Sequence, residues 1–377
     1  MAGETLSRLS SEGGRRTINA SLNRNVEGSA RGWQLSPFMA ARMLFRVCVA
    51  FQGARIPSVI RHMGIRQAQI PASYFGVVLG LAGLGQAWRI AAQRWSLPGA
   101  VGETVIAIAG LVWFVLIIGY LWQAIRRFEV VKAEFLHPVQ GGTPALLAVS
   151  TLLIAIAVLP YSSILAWLLT IAGIAWHLGF CLWHTGLLWQ GGRNTVDMVP
   201  TLYLPTVAGN FVSAAALGAL GQPDWGWLFL GAGLFSWLAL ESLVIHRLWH
   251  SSSVPTPQRP LIGIQFAPPV VCAMAWLALS PGSTDHWLLM LWGYGLFQLL
   301  LGLRLGPWLG AQPFIPTYWA YTFGVAAATV TGLHLAQSGV GAAQVLALPV
   351  FVAANLFIGY LALRTARLFA GKPKSRK

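Results

Sequence analysis

From Ile70 to Leu368 the chain is a succession of apolar runs, each near or above the length that crosses a bilayer, separated by short polar clusters. A helix needs about 20 apolar residues to span roughly 30 Å of hydrocarbon. Ten such runs are read here, at 71–92, 102–125, 143–160, 162–189, 198–221, 226–248, 261–281, 286–306, 314–337 and 341–368. Their boundaries lie where Gly, Pro, Ser and charges gather, as in "WQGGRNTVDMVP", "HSSSVPTPQRP" and "SPGSTDH"; the shortest break is "AVLPYSS". With 56% hydrophobic and 9% charged residues, the chain has too little polar surface to face water on all sides. Alternation of the kind that marks barrel strands is missing, so an all-α integral membrane protein is expected.

Charge placement orients the spans. With ten of them, both termini and the loops after even-numbered spans share one side. Of the 25 Lys and Arg, all but Arg89 and Arg94 fall there, which predicts cytoplasmic termini. The net charge of +15 is thus a topology signal with attraction to anionic lipid, and no nucleic-acid motif accompanies it. Residues 1–68 form a basic tail, disordered over the first 35 or so, and "SPFMAARMLFRVCVAFQGAR" is a candidate interfacial helix. The paired arginines of "GGRRTINA" precede no apolar run, so a cleaved signal peptide is not expected. Residues 371–377 form a second basic tail, leaving 69–370 as the membrane domain.

Proline adds an architecture. The odd-numbered spans carry it near their starts or inside, at Pro71, Pro144, Pro200 with Pro205, Pro268 with Pro269, and Pro313 with Pro316. The even-numbered spans mostly lack it, Pro349 being the exception. Helices broken in this way are tolerated where protein or a water-filled cavity re-satisfies the backbone. Five helical hairpins are therefore expected, the proline-bearing members as an inner ring and the straighter ones as an outer ring. "GVVLGLAGLG", "GNFVSAAALGALG" and "GVAAATVTG" supply small residues for close approach or for a lumen.

Over about 69–370 the blocks "PASYFGVVLGLAGL", "EVVKAEFLHPV", "LWQGG", "LYLPTVAGNF", "LFLGAGLFSWLALE", "APPVVC" and "LWGYGLFQLLLGLRLGPW" follow one another in order. In them the chain resembles the tellurite-resistance and dicarboxylate transporter family, which groups bacterial TehA proteins with plant guard-cell slow anion channels, and the bacterial branch implies an inner membrane. The resemblance implies a homotrimer of ten-helix protomers, each passing small anions through its own central pore, and a phenylalanine plug that matches Phe323 in "AYTFGVAA". Phe323 lies seven residues beyond Pro316, about 10 Å along a helix, with Gly324 giving the backbone slack. Phe75 and Phe211 are candidates either for lining the pore or for packing around it.

Glu241 and Arg304 are rare charges near the inner ends of spans six and eight. They are read as a structural ion pair in preference to substrate contacts. A proton-coupled dicarboxylate carrier is the transport alternative, and it calls for an ionisable group in an odd-numbered span, where almost none occurs. The remote alternative is a membrane redox protein using His177, Cys181 and His184, spaced to share a helix face. Cys48, Cys181 and Cys272 form no paired motif. With no phosphate loop, dinucleotide fingerprint or nucleophile motif either, neither an enzyme nor a resident cofactor is expected.

Overall fold

The computed structural model describes residues 69–370, so both expected tails, the interfacial helix and Cys48 lie outside the described residues. The described chain is helical, with no strand in it. Its α-helices are α1 (Gly76–Trp95), α2 (Gly99–Arg126), α3 (Phe128–Phe135), α4 (Ala145–Val158), α5 (Ser163–Trp189) and α6 (Gly209–Ala219). They continue with α7 (Pro223–His250), α8 (Pro268–Leu279), α9 (His286–Leu309), α10 (Thr322–Gln337) and α11 (Gly341–Ala370).

Among the described residues, eight helical segments are long and apolar enough to cross a membrane, counting the turns that lead into α1, α6 and α8. The two remaining expected spans hold shorter helices. α4 has 14 residues and α10 has 16, about 21 and 24 Å of rise. Pro144 precedes α4, Pro160 follows it, and a 3-10 turn over Pro316–Tyr321 leads into α10.

Proline acts at the same place in the other odd-numbered segments. It lacks an N–H and is tolerated in the first turn, but it interrupts a continuing α-helix. A 3-10 turn at Ala72–Phe75 opens α1, a π-type turn at Leu204–Ala208 opens α6, and a long 3-10 stretch at Thr256–Phe266 opens α8. Pro307 also falls inside α9 and joins Pro349 of α11 among the prolines of even-numbered segments.

Burial separates two helix types. In Thr256–Leu279, 83% of the most apolar stretch is buried, against 17% in Gly99–Arg126. α1 packs on α4, α4 on α6, α6 on α8, α8 on α10, and α10 back on α1. Each of these five also packs on the long helix that follows it in the chain, α2, α5, α7, α9 or α11. Those followers expose Leu111, Ile125, Leu182, Leu303 and Leu356 to the surroundings, which suits hydrocarbon and not water. Glycine sets the α1–α10 contact: a Cβ on Gly80 or Gly83 would lie 2.6 Å or less from Thr322 or Ala326.

Candidate functional site

The ring helices and the turns before them line a partly open cavity. Ser73 and Gly76 reach it from the start of α1, Thr143 from the start of α4, Tyr203 from the turns before α6, Leu261 from those before α8, and Thr317 from those before α10. Among the described residues no Asp, Glu, His, Lys or Arg lines it. The lining residue furthest along each ring helix is apolar: Leu79, Leu146, Phe211, Val271 and Phe323. This convergence of five segments spread over 245 residues, Leu79 to Phe323, is invisible to any local motif.

The four aromatic and glycine candidates separate by direction. Phe323 is buried, 6% exposed, and is the lining residue furthest along α10. Phe211 also lines the cavity, but its ring is seated against α7, where a Cβ on Gly233 would lie 2.7 Å from it. Phe75 turns towards α2 and meets Tyr120 edge-on at 6.1 Å; it is not among the cavity's lining residues. Gly324 faces protein as well. A Cβ there would stand 3.1 Å from the backbone of Phe266, so the glycine lets α10 approach the start of α8 closely.

The expected ion pair between Glu241 and Arg304 is not formed. The two ion pairs among the described residues are Arg89–Glu103 and Lys132–Glu129, and Arg304 is exposed. The Glu241 carboxylate instead accepts hydrogen bonds from the Tyr203 hydroxyl at 2.8 Å, Trp237 Nε1 at 2.9 Å, Gln265 Nε2 at 2.8 Å and the Tyr294 hydroxyl at 3.2 Å. Four neutral donors satisfy its lone pairs without a counter-ion. The network joins α7 and α9 to the segments leading into α6 and α8, one residue behind the cavity wall at Tyr203.

A second carboxylate escaped the sequence reading, although it lies within the "EVVKAEFLHPV" stretch. Glu134 of α3 accepts from the backbone N–H of Ala72 at 2.8 Å and from the Tyr120 hydroxyl at 3.0 Å. It thus supplies an acceptor at the N-terminus of the turn into α1, where backbone donors have no helical partner. Burial pushes its pKa up, opposed by the bonds from Ala72, Tyr120 and Thr143. A raised folded pKa means that the folded protein binds more protons than the unfolded one between the two values, so stability falls as pH rises through that window. Thermal unfolding across the weakly acidic range should show this fall, and Glu134→Gln, which cannot titrate, should flatten it. An unchanged slope in that variant assigns the pH dependence to another group.

His177, Cys181 and His184 do not form one ligand set. His177 Nε2 is bonded to Asn210 Oδ1 at 3.1 Å, the His184 ring stacks on Phe180 at 5.6 Å, and Cys181 contacts the Thr185 hydroxyl. Among the described residues no group of three His, Cys, Asp or Glu is placed to hold a metal ion.

Residues 69–366 match the SLAC1 family, described as voltage-dependent anion channels. The tellurite resistance protein TehA homolog of Haemophilus influenzae is 34% identical over 297 residues, covering 78% of this chain and 90% of that protein. The S-type anion channel SLAH2 of Arabidopsis thaliana is 26% identical over 70% of this chain, and the guard cell S-type anion channel SLAC1 of the same plant is 25% identical over 72%. This chain spans about half the length of these two plant proteins, 52% and 50% respectively. The expected resemblance is therefore a matter of membership: this helical membrane chain belongs to the SLAC1 family of anion channels and transporters.

Proposed function

We propose that the ring of α1, α4, α6, α8 and α10 is a pathway for small anions and that Phe323 is its gate. The observation that carries the reading is the cavity itself, lined by all five ring segments, whose furthest lining residues are apolar and include Phe323. Five hairpins then make ten passes, α4 and α10 crossing with the help of their flanking turns.

Selectivity for anions has a source in the backbone. The start of each ring helix contributes to the cavity, and helix starts present unpaired N–H groups and the positive end of the dipole. Because the lysines and arginines of the even-numbered loops lie at the same end as these helix starts, the cavity opens towards the cytoplasm, with both termini there. Assembly as a trimer of independent pores in a bacterial inner membrane completes the reading. The 34% identical relative, a tellurite resistance protein TehA homolog of Haemophilus influenzae, supports the bacterial setting.

The carrier alternative asks for a titratable group that a substrate meets, and the lining offers no acid, imidazole or amine. Planar-bilayer recording with ion substitution distinguishes the two. A channel gives a reversal potential that follows the anion gradient and ignores an imposed proton gradient; a reversal potential that moves with the proton gradient overturns the channel reading.

A further inference from the structure

Beyond the Phe323 level the odd-numbered helices continue for several turns, and the contacts between α1 and α10 fix what stands there. Gly76 meets Trp319, Gly80 meets Thr322, Gly83 meets Ala326, and Arg94 Nη1 donates to the Ala336 carbonyl at 3.0 Å. The number offset is 242 or 243 at all four places (319 − 76, 322 − 80, 326 − 83, 336 − 94), so the two helices run parallel in one register. Phe323 is then level with position 80 or 81 of α1. Gln86 stands about 8 Å further on, and Arg94 about 20 Å further, at about 1.5 Å per residue.

Both side chains carry donors that the protein leaves unused. Gln86 follows the cavity-lining Leu79 by seven residues, two turns along the same face. Its Nε2 is buried and has no hydrogen-bond partner. Arg94 Nε is likewise buried and unpartnered. Among the described residues Arg94 is in no ion pair, whereas the guanidinium of Arg89, the other cation on this side, is held by Glu103 through two bonds of 2.8 Å. A buried amide without an acceptor costs stability, and an anion in the lumen is the acceptor that would remove the cost. Donors that face no protein acceptor also discriminate by sign, since a cation meeting them is repelled.

We infer that Gln86 and Arg94 form an anion-coordinating station on the far side of the gate, Gln86 receiving the partly dehydrated ion as it passes Phe323 and Arg94 drawing it to the outer mouth. The inference rests on the reading of the ring as an anion pathway. It gives the pathway a side-chain specificity element in addition to backbone dipoles, for a monovalent anion of the chloride or nitrate class that accepts one or two hydrogen bonds.

The test uses the full chain in planar bilayers, with chloride as the permeant ion and Phe323→Ala as the open background. Adding Gln86→Leu, which keeps the volume and removes the donor, should lower chloride conductance at low concentration by about tenfold, the range of one hydrogen bond to a charged group. The same substitution should leave the melting temperature unchanged or higher, because it removes a buried unpartnered amide. Arg94→Gln should lower conductance at low ionic strength, with the difference vanishing in molar salt as the charge is screened. Unchanged chloride conductance in the Gln86→Leu protein overturns the station while leaving the pore intact. A loss of conductance together with a lower melting temperature also overturns it, by showing a packing role. No current in Phe323→Ala alone removes the pore reading, and the station with it.

Discussion

Phe323→Ala should raise anion conductance by about tenfold or more, which corresponds to a barrier lower by about 1.4 kcal/mol. The phenyl ring blocks in two ways: it fills the space between the ring helices, and it leaves any residual gap too apolar to stay wet. Leu79, Leu146, Phe211 and Val271 are the corresponding furthest lining residues of the other ring helices. Phe211 is the other aromatic ring in that set, and its seat against Gly233 of α7 ties it to the outer layer. Removing Phe323 therefore takes away the bulk that is not so anchored. Phe323→Leu restores most of that bulk and should stay near the resting conductance. If Phe323 were ordinary packing, alanine would leave a dry void at a cost of about 3 to 5 kcal/mol and open nothing. Equal near-zero currents in the wild-type, alanine and leucine proteins, with the alanine variant unfolding at lower temperature, would select that outcome.

Glu241→Ala should be the most destabilising single change at the site. Alanine strands the Tyr203 hydroxyl, Trp237 Nε1 and Gln265 Nε2, with Tyr294 at the more exposed edge. Each buried donor left without an acceptor costs about 1 to 3 kcal/mol, so a total of about 3 kcal/mol or more is expected. Glu241→Gln keeps one acceptor oxygen but adds an N–H₂ that competes with the donors, and it should fall between alanine and wild type. Thermal unfolding in detergent micelles orders the three proteins. An alanine variant as stable as wild type would show that the network contributes nothing, while a glutamine variant as damaged as alanine would show that the charge itself is required.

How much of this was legible beforehand differs between the fold and the site. Long apolar runs announce membrane helices because each such helix satisfies its own backbone, a local requirement that leaves a local mark. The prolines marked the interrupted helices for the same reason, and the 3-10 and π turns stand beside them at Pro71, Pro200, Pro205, Pro260 and Pro316. The lengths of α4 and α10 were less legible, since hydropathy continues through a proline that the α-helix does not cross.

The site was readable in depth but not in direction. Phe75, Phe211 and Phe323 occupy comparable places near the starts of their segments, yet one turns to α2, one leans on α7 and one is the lining residue furthest along α10. Ring helices are apolar all round, so no polar face reveals how each is rotated about its axis. Glu241 shows the same limit. Its donors lie 38, 4, 24 and 53 residues away in the chain, and the expected charged partner is not among them. The sequence by itself determined a helical membrane chain and its broken segments, because those follow from composition, periodicity and local backbone chemistry, while its family was legible through the resemblance of whole sequence blocks. Only the tertiary structure decided which side chains face the cavity, that neutral donors and no cation hold Glu241, and that Gln86 and Arg94 keep unused donors beyond Phe323, because helix rotation and long-range convergence are set by packing.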